Sequence, residues 1–337
     1  MVEELRSVVA LATALVDART LADSHAPFPQ LCIALDQVEQ LLFYHKDAFG
    51  IQSTRFQLGC EEFVLLNNTF AMCALQQQQY SSQQELQVCG DLLSRAEQHT
   101  RRSGYLRSIP QVNHVTRRRA FRLVSLNNLA CYHKEAGKPL AALRFLEKAL
   151  HIQRQQTEAN ATLYGDEVNA DGGAIVTEQD AEYAIALTHL NLCAVLAQLD
   201  RHAAAAQHAR SAIALLDVQN DGKQDRVDQV SRAHFNLVLI AHFNLAVELE
   251  HLSDGVQAQR MYETALALAR ARGITRDDSE LANAIEAILW GRQTQATAAS
   301  RRNHMAVSPR GRLLRPQSPH SIRQATATLA ATSARFK

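Results

Sequence analysis

The sequence predicts an all-α protein built from antiparallel pairs of helices. Between residues 30 and 308 the only prolines are Pro110 and Pro139, so few residues there interrupt a helix. Alanine, leucine, glutamine and glutamate dominate the same stretch, and strand-like alternation of apolar and polar residues is absent. One pattern of small residues also recurs three times along the chain, which is typical of repeat proteins.

Apolar periodicity and the positions of glycine and proline predict the helices in chain order. They span residues 2–22, 29–48, 59–78, 83–100, 117–136, 139–155, 179–199, 202–217, 224–251, 254–272 and 277–299. A run of helices of this kind is typical of an α-solenoid, in which each helix pair packs mainly on its neighbours.

The recurring pattern consists of three small residues in each helix pair. The second lies 12 residues after the first, and the third lies seven residues after the second. Two helices approach closely only where side chains are small, so these positions are expected to pack at helix crossings. The three sets are Ala130, Ala142 and Ala149; Cys193, Ala205 and Ala212; and Ala246, Ala258 and Ala265.

With the motif Leu126-Asn127-Asn128-Leu129-Ala130, this pattern resembles the tetratricopeptide repeat, and its form is most similar to repeats of kinesin light chains and related eukaryotic scaffold proteins. The resemblance implies a right-handed superhelix whose first helices line a concave groove. Clear repeats are predicted at 123–154, 186–217 and 239–270, and a degenerate repeat at 59–100. The clear repeats begin 63 and 53 residues apart, not about 34, so longer helices or inserted loops are expected between them.

The remaining segments flank a repeat domain at 59–300. Residues 1–58 are expected to form N-terminal capping helices, and 277–299 a C-terminal cap. Residues 301–337 hold eight Lys or Arg and no Asp or Glu, a composition that predicts a disordered basic tail. In the tail, Ser308 and Ser318 each precede proline, so they are candidate phosphorylation sites. The alternative is an inert chain end.

Charge and composition argue against several classes of protein. The chain of 337 residues has 35 basic and 34 acidic residues, so it has no overall field to attract nucleic acid or an anionic membrane. No apolar run approaches the roughly 20 residues that span a bilayer, and Glu3 and Glu4 argue against a targeting peptide.

Six cysteines without a C-x-x-C pair favour buried free thiols, with Cys131 and Cys193 as packing residues. We therefore expect a soluble cytoplasmic protein.

Two sets of residues are candidate partner contacts. Asn128, Asn191 and Asn244 recur at one register of the first helices. Asparagines of similar repeats hold peptide main chain, and the alternative is that these bond to a neighbouring repeat. The second set is expected to select an acidic partner, or else to pair with the acidic residues of 155–184. It consists of Arg117, Arg118, Arg119 and Arg122.

A calcium-loop spacing occurs at Glu167, Asn169, Asp171 and Glu178, although acidic loops are also common for solubility alone. The 14 histidines are expected to be scattered on the surface, and no catalytic, metal or phosphate-binding motif is found in the sequence. No metal or cofactor is expected.

The expected function is a non-enzymatic adaptor that binds a protein or peptide, possible settings being cytoskeletal or flagellar. The alternatives are a calcium-responsive or enzyme-associated regulator and a structural component of microtubules or axonemes. The oligomeric state is left open.

Overall fold

The computed structural model describes residues 2–24, 26–76, 82–101, 103–106, 114–163, 178–217, 230–271 and 280–304. Over these residues the secondary structure consists of eleven α-helices without strands, which confirms the predicted all-α class. The helices are α1 (Val2–Asp23), α2 (Phe28–Phe49), α3 (Thr54–Gln76), α4 (Gln83–Thr100), α5 (His114–Glu135), α6 (Pro139–Leu163), α7 (Glu178–Gln198), α8 (His202–Asp217), α9 (Val230–His251), α10 (Gly255–Ala271) and α11 (Glu280–His304).

The chain divides into two compact units, Met1–Asp180 and Ala181–Lys337, called unit 1 and unit 2 below. In unit 1, α3 packs against α1, α2, α4 and α5, and α5 pairs with α6. In unit 2, α9 packs against α8, α10 and α11, and buried residues of α7 join the same core. Neighbouring helices therefore form the hairpins that the sequence predicts. In the part of the chain that is described, no helix is long and apolar enough to cross a membrane.

Several helix boundaries differ from the prediction, and α6 differs most, because it continues to Leu163 and not to residue 155. Helix α3 begins at Thr54, so the domain boundary predicted at residue 58 lies inside a helix. Gly59 suggested a helix start, but it lies within α3 at a close approach to α2, where an added Cβ would stand 2.7 Å from Leu42 Cδ2. Helix α11 continues to His304, four residues into the segment predicted to be a tail. Ser308, Ser318 and the rest of 305–337 lie outside the described residues.

The small residues of the three predicted repeats lie in the cores of the two units. Each of the nine is at most 1% exposed. This is the burial expected where helices cross at short distance, because a larger side chain would hold the backbones apart.

The same three-residue turn joins the two helices of each predicted clear repeat, at 136–138, 199–201 and 252–254. Its middle residue is left-handed each time, with φ of 70° at Gly137, 56° at Asp200 and 63° at Ser253. The N–H of this residue donates to the carbonyl three residues earlier, and the next N–H donates to the carbonyl five residues earlier, at 2.8 to 3.2 Å. This pair of bonds is the Schellman C-cap. The turns recur at the same 63- and 53-residue spacing as the repeats.

We expect Ser253→Gly to raise the free energy of unfolding by about 0.5–1 kcal/mol, because glycine adopts a positive φ without the steric cost that serine bears. Asp200→Gly should give a smaller gain, since aspartate tolerates this conformation better. Gly137→Ala should lower the free energy by about 1 kcal/mol. Urea unfolding followed by circular dichroism measures all three.

Gly255→Ala is the matched control, because Gly255 lies in a helix, has no positive φ and would have no atom within 4 Å of an added Cβ. It should leave stability unchanged or raise it. If Ser253→Gly left the free energy of unfolding unchanged while Gly255→Ala lowered it, strain could not be assigned to these turns.

Candidate peptide-binding residues

The three asparagines predicted to contact a partner lie on the first helix of each hairpin: Asn128 on α5, Asn191 on α7 and Asn244 on α9. Their exposure differs. Asn128 and Asn191 are each 7% exposed, whereas Asn244 is half-buried. The shared register therefore does not give the three amides equal access to a ligand.

In unit 1, Asn128 takes part in a buried amide network between α5 and α3. Its Nδ2 donates to Asn68 Oδ1 at 2.9 Å. Asn68 Nδ2 in turn donates to Ser125 Oγ and to the carbonyl of Val64, both at 2.9 Å. Asn128 therefore donates its amide hydrogen bond to the neighbouring helix pair, as the alternative to peptide contact predicts. In the degenerate repeat, the pair Asn67-Asn68 repeats the pair Asn127-Asn128, but the sequence analysis did not assign the roles of Asn68 and Ser125.

In unit 2, Asn244 lies on a stretch of α9 that is otherwise buried. Every residue of 237–249 is buried except Asn244. Leu237, Phe243 and Val247 of this helix belong to the core that α7, α8, α10 and α11 share. Asn244 is therefore the one point along this stretch where a polar side chain of α9 meets solvent.

The predicted basic residues lie near the start of α5. Arg118, Arg119 and Arg122 are half-buried, and the side chain of Arg117 lies outside the described set. Arg118 and Arg119 lie four and three residues before Arg122, so each of them neighbours Arg122 on the helix surface.

A buried carboxylate that the sequence analysis did not single out faces this basic cluster. Glu97, near the end of α4, is 4% exposed. Its Oε2 accepts a hydrogen bond from Arg101 Nε at 2.5 Å, and its Oε1 lies 4.0 Å from Arg122 Nε. Glu97 therefore offsets part of the positive charge. The acidic side chains of 155–184, the other predicted counter-charge, lie outside the described residues.

The predicted calcium loop falls almost wholly outside the described residues. Glu167, Asn169 and Asp171 lie outside them, and Glu178 is described only as the first residue of α7. Among the side chains that are described, no three of His, Cys, Asp and Glu are arranged to hold a metal ion.

The six cysteines, all of which lie in the described residues, form no disulfide, and Cys60, Cys89 and Cys193 are buried. Burial raises the pKa of the Cys60 and Cys89 thiols to about 12, and it also raises the pKa of Cys32 and Cys131. At neutral pH these groups are therefore protonated thiols, which are poor nucleophiles.

The expectation of scattered surface histidines is wrong for several positions. His45, His99 and His242 are at most 6% exposed. His99 packs edge-on against Phe63 at a centroid distance of 5.1 Å, and His242 Nδ1 pairs with the Val238 carbonyl at 3.0 Å. An imidazole ring can enter a core because it is flat and one ring nitrogen can be satisfied by the helix backbone.

Comparison with known proteins finds no protein-family model that matches this chain and no matching curated protein. Among solved structures, the chain is similar to the crystal structure of BtubC (BKLC) from P. vanneervenii. The sequence identity is 17%, the match covers 93% of this chain and 98% of that chain, and the TM-score is 0.43. At this identity and TM-score the similarity carries no argument about what the chain binds.

Proposed function

We propose that this protein is a non-enzymatic adaptor that binds a partner peptide through the first helices of its hairpins. The proposal includes the tetratricopeptide character of the repeats and their similarity to those of kinesin light chains. The recurrent hairpins, with one turn geometry and one set of buried small residues, support a repeat protein. Repeat proteins of this kind present extended surfaces to their ligands.

The observation that carries the proposal is that Asn244 is only half-buried on the otherwise buried stretch 237–249 of α9. A carboxamide offers two N–H donors and one carbonyl acceptor, so it can pair with both the N–H and the C=O of an extended peptide. Such pairing does not depend on the ligand's side chains. Asn191 lies at the same register of α7 but is more buried, so we assign it a lesser role.

Arg119 and Arg122 are proposed to select acidic ligands at a separate site in unit 1. Guanidinium groups bind carboxylates through paired hydrogen bonds, and Arg122 already approaches the carboxylate of Glu97 at 4.0 Å.

We expect Asn244→Ala to weaken binding of selected peptides about tenfold, because the loss of one or two main-chain hydrogen bonds costs about 1.4 kcal/mol. The probes are linear 16-residue peptides selected from a random displayed library against the full chain. Fluorescence anisotropy of labelled peptides then gives the dissociation constants. Circular dichroism should show the same helicity in both proteins.

Matched controls separate the two sites. Asn283→Ala changes an exposed asparagine on α11 and should leave affinity unchanged. Arg119→Ala with Arg122→Ala should remove any preference for acidic peptides, whereas Arg144→Ala with Arg154→Ala, both exposed on α6, should keep it. A library that enriches no peptide, or equal affinity of Asn244→Ala and wild type, would remove the proposed function.

The proposed cytoplasmic setting rests on the pattern of cysteines, and the cytoskeletal or flagellar setting rests on the resemblance of the repeats and on the basic tail. Co-sedimentation of the purified chain with microtubules, with and without residues 301–337, tests it. Nothing in the described part of the chain favours the calcium-responsive or filament-component alternatives, so they stay predictions.

A further inference from the structure

Helix α8 is tied to both of its neighbours through histidine side chains. His208 Nδ1 lies 2.8 Å from His189 Nδ1 on α7. His202 Nδ1 lies 2.7 Å from Glu248 Oε2 on α9. The contacts of α8 with α7 and α9 therefore depend on the protons that these rings carry.

The contact between His189 and His208 requires one proton between the two facing nitrogens. A ring nitrogen that carries hydrogen can only donate, and a bare one can only accept. At 2.8 Å one Nδ1 must donate and the other must accept. If both Nδ1 atoms carried hydrogen, two donors and two positive rings would face each other, so the doubly protonated pair cannot keep this geometry.

The contact of His202 differs, because it is compatible with a charged ring. Glu248 is 2% exposed, and its carboxylate accepts from His202 Nδ1 whether or not the other nitrogen is protonated. Asp200 Oδ1 lies 3.8 Å from His202 Nε2, and the ring stacks on His251 at a centroid distance of 4.0 Å. Both carboxylates can accept from this ring, so the contact does not set two hydrogen-bond donors against each other.

The other titratable or charged side chains described on the three helices and the turn between α7 and α8 are few. Tyr183 and Cys193 lie on α7, Arg201 and Arg210 on or just before α8, and His242 and Glu250 on α9. His242 pairs with the backbone of its own helix, and Glu250 pairs with Arg292 of α11. Both of these side chains are therefore engaged with other groups.

We propose that the α7–α8 contact is a proton-sensitive switch, in which uptake of a second proton by His189 and His208 separates the middle of α8 from α7 while His202 and Glu248 hold its first turn. The unfolded or opened state accepts both protons freely, and the closed state accepts only one. Closure is therefore weakened as the pH falls below about 6.5, where a free imidazole takes up a proton. The proposal is independent of peptide binding.

Hydrogen–deuterium exchange at pH 7.5 and pH 5.5 tests this switch, with labelling times scaled to the intrinsic exchange rate. At the lower pH, protection of residues 205–213 should fall about tenfold relative to protection of α10. The reason is that pH 5.5 lies about one unit below the pKa of a free imidazole, and the closed state keeps one of the two rings from taking up its proton. Protection of α10 serves as the reference, because this helix has no histidine.

His208→Gln should remove this pH response, because the glutamine amide can still donate to His189 but does not titrate. His151→Gln, which changes an exposed histidine on α6, should keep it. If His208→Gln does not fold, His189→Gln serves the same purpose. An equal pH response in wild type and His208→Gln, or none in wild type, would overturn the proposal.

Discussion

The substitution Ala205→Trp is expected to lower the free energy of unfolding by about 3 kcal/mol or more. Unit 2 should therefore also keep less helicity at moderate denaturant concentrations. Ala205 is 0% exposed on α8, where the neighbouring buried alanines leave no space for a larger side chain. The indole would force α8 away from the helices that cover it. Urea unfolding followed by circular dichroism measures the change.

Ala203→Trp is the matched control, because Ala203 lies two residues earlier on the same helix and is exposed. Its effect should stay within about 0.5 kcal/mol. If the two tryptophan variants unfolded at the same urea concentration, the small residues would not be needed for helix packing. The repeat interpretation of the spacing would then fail.

Asn68→Leu is expected to destabilise unit 1 by about 2–4 kcal/mol. The change removes the acceptor for Asn128 Nδ2 and the donor to Ser125 Oγ, and both partners are buried. Each buried polar group left without its partner costs about 1–3 kcal/mol. Thermal and urea unfolding of the full chain measure the loss, and Thr69→Leu, at an exposed neighbour on α3, should have little effect.

A double-mutant cycle distinguishes the two interpretations of Asn128. If Asn128 bonds mainly to Asn68, the pair Asn68→Leu and Asn128→Leu should cost less than the sum of the single changes. Additive costs would show that the two amides do not interact. An unchanged stability of Asn128→Leu would instead return this residue to the set of side chains available to a ligand.

The helix content and the positions of the small residues could be predicted because both depend on neighbours close in sequence. Apolar residues three or four apart mark the buried side of a helix, and a constant spacing of 12 and seven residues marks a hairpin with a fixed turn. The turn conformation itself was missed at Asp200 and Ser253, because the usual signal for a positive φ is glycine and only Gly137 supplies it.

The sequence by itself determined the all-α class, the hairpin register and the recurrence of the asparagines. Only the tertiary structure decided that Asn128 bonds to Asn68 while Asn244 keeps access to solvent, and that Glu97 faces Arg122. It also brought His208 to His189. Local periodicity states which side of a helix is buried, but not which helix covers it. That depends on how whole helices pack across connections of unequal length, so residues up to 60 positions apart become partners without any local signal.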